Sequence, residues 1–289
     1  MNNGDDFINR MYLWSKRLFL ASPENIGQAI LSIKAPTRWH FFEDRDLSVT
    51  FKDILAFEGI PDYGGAVRNS LKRLMIKGTI REEEVNFDDI TGVWTSKGHL
   101  IGNLPRLIYT SDVVSKIEPT DKNFDSVLRG VWKESGCVTD GRFNLYEESW
   151  SGRLIAANGG AARRIAWLHK YSYIKKSPIP ARITPLHIEP EALKILTRRY
   201  WVALLPGYNS ALTLVSQLKR MGIRGVEDIG KANSAGNEQG DALTAWSIFS
   251  CDRDCPQYRD IRLGLLDSPL PVFDFSQWLM QIAAGRRNP

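Results

Sequence analysis

The sequence predicts an α+β protein with a mixed-sheet core and an N-terminal helical extension. Three observations carry that expectation. Apolar residues at helical spacing dominate the chain up to Met75, and a strand, a glycine turn, a helix and a second strand follow one another between Gly141 and Ile183. Apolar residues make up 43% of the 289-residue chain, enough to bury one large core or two modest ones.

Taken in order, Phe7, Met11, Trp14 and Leu18 form one apolar stripe. Ser22-Pro23-Glu24 reads as a helix start, with Ile26, Ala29 and Ile30 on the next face and Pro36 ending the run. Phe51, Ile54, Leu55 and Phe57 suggest a short helix, Gly59 to Gly65 a turn, and Val67, Leu71, Leu74 and Met75 a second stripe closed by Lys77-Gly78. Thr79-Ile80 can begin a strand, so residues 48 to 81 read either as a helical hairpin or as a winged helix-turn-helix. Residues 81 to 105 are polar and turn-rich, which puts a boundary near Pro105. The expected domains are a helical 1–105 and an α/β core with a C-terminal elaboration over 106–289.

Within that second part, Leu107-Ile108-Tyr109 is a candidate strand, and Phe124, Val127, Leu128, Val131 and Trp132 mark a helix. Phe143 to Tyr146 and Arg153 to Ala157 form a strand pair. A helix runs from Ala161 to Tyr171, and a strand from Ala181 to Ile183 follows the break at Ser177-Pro178-Ile179-Pro180. Strands are expected at Trp201–Leu205, Ile223–Ile229 and Leu243–Phe249, with helices over Ser210–Met221 and Phe275–Ala284.

Composition narrows the partners. No run approaches the roughly 20 apolar residues of a membrane span, and the acidic start lacks a signal-peptide pattern, so a cytoplasmic protein without membrane contact is expected. Three cysteines, Cys137, Cys251 and Cys255, argue against a disulfide framework. Cys251 and Cys255 lack the further ligands a zinc site needs, so they read as two unrelated thiols, and no metal site is expected. Net charge is +5, but Arg163 to Arg199 alone carries nine basic residues against Glu189 and Glu191, leaving the remainder near −2. That field suits an anionic partner, a nucleotide or nucleic acid, or else is a solvated basic face.

One constellation carries chemistry. At the strand-to-helix junction Asn158-Gly159-Gly160-Ala161, glycines let the backbone turn tightly against a ligand, and helix-start N–H groups attract an anion. Arg163 or Arg164 supplies a guanidinium for phosphate oxygens. Glu147 and Glu148, just upstream, are candidate carboxylates for holding a metal or positioning water, and Trp150 and Trp167 are candidate stacking partners for a base. In the bland alternative the glycine pair is an ordinary connection, with Ala161, Ala162 and Ala166 packed on the sheet. There is no Gly-Lys-Ser/Thr phosphate loop and no His-Glu-X-X-His zinc motif.

Gly159-Gly160-Ala161-Ala162-Arg163, with Ala166 and the downstream Ile179-Pro180-Ala181-Arg182-Ile183, resembles the signature of the ParB/sulfiredoxin superfamily. The resemblance covers residues 140 to 185, and more loosely 106 to 205. It implies a ParB-like core in a bacterial or phage protein whose turn and arginine hold the phosphates of ATP or CTP with a divalent cation. Members of that superfamily hydrolyse nucleotides, cleave nucleic acid or only switch conformation. If this chain is an enzyme, hydrolysis of a phosphoanhydride or phosphodiester bond is the class expected, with Arg163 stabilising developing charge and Glu147 and Glu148 as the candidate catalytic carboxylates. Three positions depart from the pattern. Ala161 stands where sulfiredoxins carry the catalytic cysteine, Ala162 replaces the usual histidine, and Asn158 replaces the acid. Sulfinate reduction is therefore not expected. The alternatives are a nucleic-acid-binding protein without catalysis and an interaction protein with a degenerate pocket.

Overall fold

A computed structural model describes residues 21–33, 65–93, 104, 108, 112–134, 136–157, 160–176, 178–207, 209–232 and 246–284. The first apolar stripe, the helix expected around Phe51 to Phe57 and the junction residues Asn158 and Gly159 lie outside them.

Helix α1 (Pro23–Leu31) starts where Ser22 and Pro23 predict, with the Ser22 side chain accepting from the Asn25 N–H at 3.3 Å. Helix α2 (Ala66–Arg73) buries the expected stripe of Val67, Leu71 and Leu74. Strands β1 (Met75–Lys77), β2 (Arg81–Val85) and β3 (Ile90–Val93) follow. Next come α3 (Asp112–Ser115), α4 (Asp121–Trp132), β4 (Val138–Thr139), β5 (Arg142–Glu148), β6 (Arg153–Ala156), α5 (Ala162–Lys170) and β7 (Ile179–Ile188). The remainder is α6 (Pro190–Lys194), a π-helical turn (Ile195–Arg199), β8 (Tyr200–Pro206), α7 (Ser210–Arg220), β9 (Val226–Ala232), β10 (Trp246–Asp252), α8 (Tyr258–Leu266), β11 (Phe273–Asp274) and α9 (Phe275–Ala283).

The strands make two sheets. The larger runs β1-β7-β5-β6-β3, with β2 also on β7 and β4 on β5. It is mixed: β5 pairs in parallel with β7 and β6 with β3, whereas β5–β6, β2–β7 and β1–β7 are antiparallel. The smaller sheet, β11-β8-β10-β9, is antiparallel.

Alternation explains the layers. On β5 and β7, Phe143, Leu145, Ile179, Ala181 and Ile183 face one side of the large sheet, where α4 and α5 supply Phe124, Val127, Val131, Ile165 and Trp167. On β8 both faces are apolar, as the run Trp201–Leu205 suggests. Trp201, Ala203 and Leu205 pack with α1, α7 and α8, while Val202 and Leu204 pack with α2, α6 and α9.

Two expectations change here. The boundary near Pro105 is crossed by sheet pairing, since β1 and β2 hydrogen-bond to β7 and β3 to β6. The polar stretch after Ile80 is thus edge strand rather than linker, because β7 supplies the partner that Glu82-Glu83-Glu84 alone does not advertise. Ile108, expected in a strand, is helical and buried.

Phe143 is fully buried, with ring centroids 6.0 Å from Phe87 and 5.9 Å from Trp132. Phe143→Ala is expected to lower unfolding free energy by about 3–5 kcal/mol in urea denaturation. Ile76→Ala, at a side chain 46% exposed, is expected to change it by less than about 0.5 kcal/mol.

Candidate functional site

At the junction between β6 and α5 the described residues are Ala157 and, beyond Asn158 and Gly159, Gly160 and Ala161. The Ala157 N–H donates to the Asn144 carbonyl at 3.0 Å, and the buried Cys137 thiol donates to the Ala157 carbonyl at 3.4 Å. Gly160 takes φ +94°, a conformation that L side chains avoid. The helix then begins at Ala162 with Ala161 as its N-cap; no side chain caps it and no acid lies in its first turn. Ala161, Ala162 and Ala166 are buried, so their small size brings α5 close against the sheet, as the bland alternative holds.

Arg163 and Arg164, both half-buried, line a cleft of about 390 Å³. Val113, Val114, Ile117, Ser126, Val127, Gly130 and Gly160 complete its lining. The lining combines two arginines with apolar residues. Arg164 is already engaged: Nη1 donates to the Glu134 carboxylate at 2.7 Å and to the Gly130 carbonyl at 3.1 Å. This ties α5 to the carbonyl end of α4, where a cation is favoured. The other Glu134 oxygen would lie 3.4 Å from a Cβ placed on Gly160. A carboxylate therefore stands beside the position expected for a phosphate. Glu134 was missed in sequence because the contact spans 30 residues and follows no spacing rule.

Glu147 and Glu148 do not join this site. Leu145 is opposite Ala156 and Glu148 opposite Arg153, so both glutamates lie at the far end of the β5–β6 pair from the turn. Three residues of strand separate Glu148 from Leu145, roughly 10 Å. Glu147 accepts two hydrogen bonds from Arg81, at 2.6 and 3.0 Å. Those bonds hold its carboxyl below the ordinary value of 4.5, against the opposing effect of burial. Glu148 is buried and accepts from the Ser151 hydroxyl at 2.7 Å, closing the β5–β6 hairpin. Trp167 belongs to the core, its ring 6.1 Å from Phe124 and its N–H directed to the Ile117 carbonyl at 3.4 Å. Trp150 packs with the α2/α9 core.

The basic segment is spread over α5, β7 and the π-helical turn, and much of it is paired. Besides Arg164 with Glu134, Lys175 meets Asp125 at 2.6 Å, Arg182 meets Asp140 at 3.7 Å and Lys194 meets Glu191 at 3.7 Å. Arg68 of α2, in the region read as a candidate DNA reader, donates to the Asp228 and Ile229 carbonyls of β9. Among the described residues, no helix is long and apolar enough to cross a membrane, and no group of three or more His, Cys, Asp or Glu side chains is placed to hold a metal ion.

The chain matches no family model, no curated protein and no solved structure.

Two outcomes follow. Gly160→Ala is expected to lose about 1–2 kcal/mol of stability through the positive φ, measured by urea denaturation. The Arg81–Glu147 pair is about a third exposed and is worth about 0.5–1 kcal/mol. Because the folded-state pKa of Glu147 is depressed, this contribution is complete above pH 4.5 and disappears as pH falls through the folded value. The stability difference between wild type and Arg81→Gln is therefore expected at pH 7 and absent at about pH 2. An unchanged difference at the lower pH would remove Glu147 as its source.

Proposed function

We propose that this protein binds a phosphate-bearing ligand, with a nucleotide as the best fit, in the cleft between α3, α4 and the start of α5. The observation that carries the reading is the cleft itself, whose lining combines Arg163, Arg164 and the positive-φ Gly160 with the apolar Val113, Val114 and Ile117. A nucleotide combines the complementary groups, an anionic end and a largely apolar ring face. The Gly160-Ala161-Ala162-Arg163 sequence, followed by Ile179-Pro180, supports assigning the core to the ParB/sulfiredoxin-like group, in which the same turn meets phosphates. ATP and CTP suit the cationic side equally.

The reading is one of binding. The expected carboxylates, Glu147 and Glu148, lie at the far end of their strand pair, and no described cluster offers ligands for the divalent cation that the resemblance implies. Glu134 is the carboxylate at the cleft, and in this proposal it holds Arg164 until a phosphate replaces it. A second reading rests on the same contact. If Glu134 permanently fills the anion position, the pocket is closed and the protein is an interaction scaffold.

A thermal-shift panel of nucleotides separates the two. At a hundred times the dissociation constant a true ligand stabilises by about 2.7 kcal/mol. The binding reading expects such a shift for at least one nucleotide, its loss in Arg163→Ala, and a larger shift in Glu134→Gln, where Arg164 is released. Flat curves for wild type and for Glu134→Gln sink the binding reading and leave the scaffold. Salt-sensitive retention of DNA with flat nucleotide curves would instead point to nucleic acid.

A further inference from the structure

Helix α9 carries no charged residue along Phe275–Ala283. Its inner face, with Phe275, Trp278, Leu279 and Ile282, is buried in the core it shares with α2 and α6. A helix that covers a core normally turns charged residues to the water. Here the outer face presents Met280, 41% exposed, with Ala283 and Ala284 exposed three and four residues further on. These three residues line a cleft of about 600 Å³ together with Leu193, Lys194 and Arg198 of α6 and the π-helical turn. That turn is held from within, since the buried Thr197 hydroxyl donates to the Leu193 carbonyl at 2.7 Å. Among the described lining residues Glu191 is the one acid, and it lies 3.7 Å from Lys194. Arg198 is exposed, and among the described residues no carboxylate pairs with it.

From this arrangement we propose that the cleft between α6, the π-helical turn and α9 docks an acidic amphipathic helix of a partner protein. The partner's apolar stripe rests on Leu193, Met280 and the two alanines, and its carboxylates meet Lys194 and Arg198. Each part of the lining suits that occupant. Methionine is unbranched and adapts to the side chains laid against it. Alanine lets a second helix axis come near, within the 8–10 Å of ordinary helix packing. Lys194 and Arg198 stand about one turn apart, and carboxylates at i and i+4 of a helix are spaced alike, by about 6 Å. The mode is that of an amphipathic helix laid in a groove. A second copy of this chain suits the cleft less well. A two-fold contact sets a surface against itself, which would bring Lys194 and Arg198 toward their own copies, and α9 has no acid to offer them.

The test uses the whole chain and a fluorescent synthetic peptide of about four helical turns, with leucine along one stripe and glutamate elsewhere. Two control peptides accompany it: one with lysine in place of every glutamate, and one of the same composition with the leucines out of helical register. The expected result is a saturable rise in fluorescence anisotropy with the glutamate peptide, weakened by salt. Affinity is expected to fall about tenfold in Arg198→Glu and in Met280→Asp, and about tenfold with either control peptide. Both substituted side chains are exposed, so neither change disturbs the core. The proposal is overturned if the glutamate peptide shows no saturable binding up to about 1 mM. Equal binding of either control peptide, or unchanged affinity in both variants, would overturn it as well. Self-association of the wild-type chain in sedimentation that Met280→Asp abolishes would assign the cleft to a second copy and overturn it too.

Discussion

The parallel pairing of β5 with β7 is the constraint on which the large sheet and its site depend. Strands running the same way cannot be joined by a tight turn, so the chain must leave the sheet and return. Here the chain first adds β6 beside β5 in the same sheet and then leaves it through α5, which packs on the face carrying Phe143, Leu145, Ala181 and Ile183. The strand β7 then does three things at once. Its first half pairs with β2, its second half with β1, and its end hands the chain to α6 and the smaller sheet. The Glu189 N–H donates to the Leu74 carbonyl at 2.8 Å, just where both crossings between the sheets occur.

The excursion sets the character of α5. One side must be small and apolar to lie close on the sheet, hence Ala161, Ala162, Ile165 and Ala166. Arg163 and Arg164 are left to project toward α3 and α4, and burial of the first side fixes the direction of the second. The Arg164–Glu134 pair is nearly two-fifths exposed on the arginine side, which limits it to about 0–1 kcal/mol. A phosphate carries more charge and more acceptor oxygens than one carboxylate, so exchange between the two is energetically easy. The same contact can therefore serve as a resting state for a binding site or as a plain helix tie, and occupancy of the cleft decides between them.

What the sequence made legible is what local pattern controls. The stripe of α5, the two-faced apolar run of β8 and the Ser22-Pro23 start of α1 all stand where spacing and capping place them. What it hid is long-range. Strand β2 is nearly all charged, and only its partner β7 makes it a strand. Helix α8 carries few buried anchors, Ile261 and Leu265 among them, and Gly264 interrupts it. That glycine is there for packing: a Cβ would come within 2.9 Å of Ile30 on α1. The site divides the same way. The positive-φ Gly160 and the arginines of the following helix have local signals, whereas Glu134, Ile117 and the partner of Glu147 have none, since each depends on a contact across tens of residues.

The position of the carboxylates also governs what chemistry is reasonable. Phosphoryl hydrolysis needs a group that orients water beside the phosphorus and charge that neutralises the leaving oxygens. In this fold antiparallel pairing places Glu148 beside Arg153, at the opposite end of β6 from the turn, and two hydrogen bonds commit Glu147 to Arg81. Moving either to Gly160 would require a shift of several residues in register. A one-residue slip already turns the core face of Phe143 and Leu145 outward, so the hydrophobic pattern that stabilises the sheet also prevents that rearrangement. Among the described residues lining the cleft are Arg163 and Arg164, the latter bound to Glu134, and none of the lining residues is a carboxylate placed to activate water. These positions are the reason the proposed function is binding and not hydrolysis.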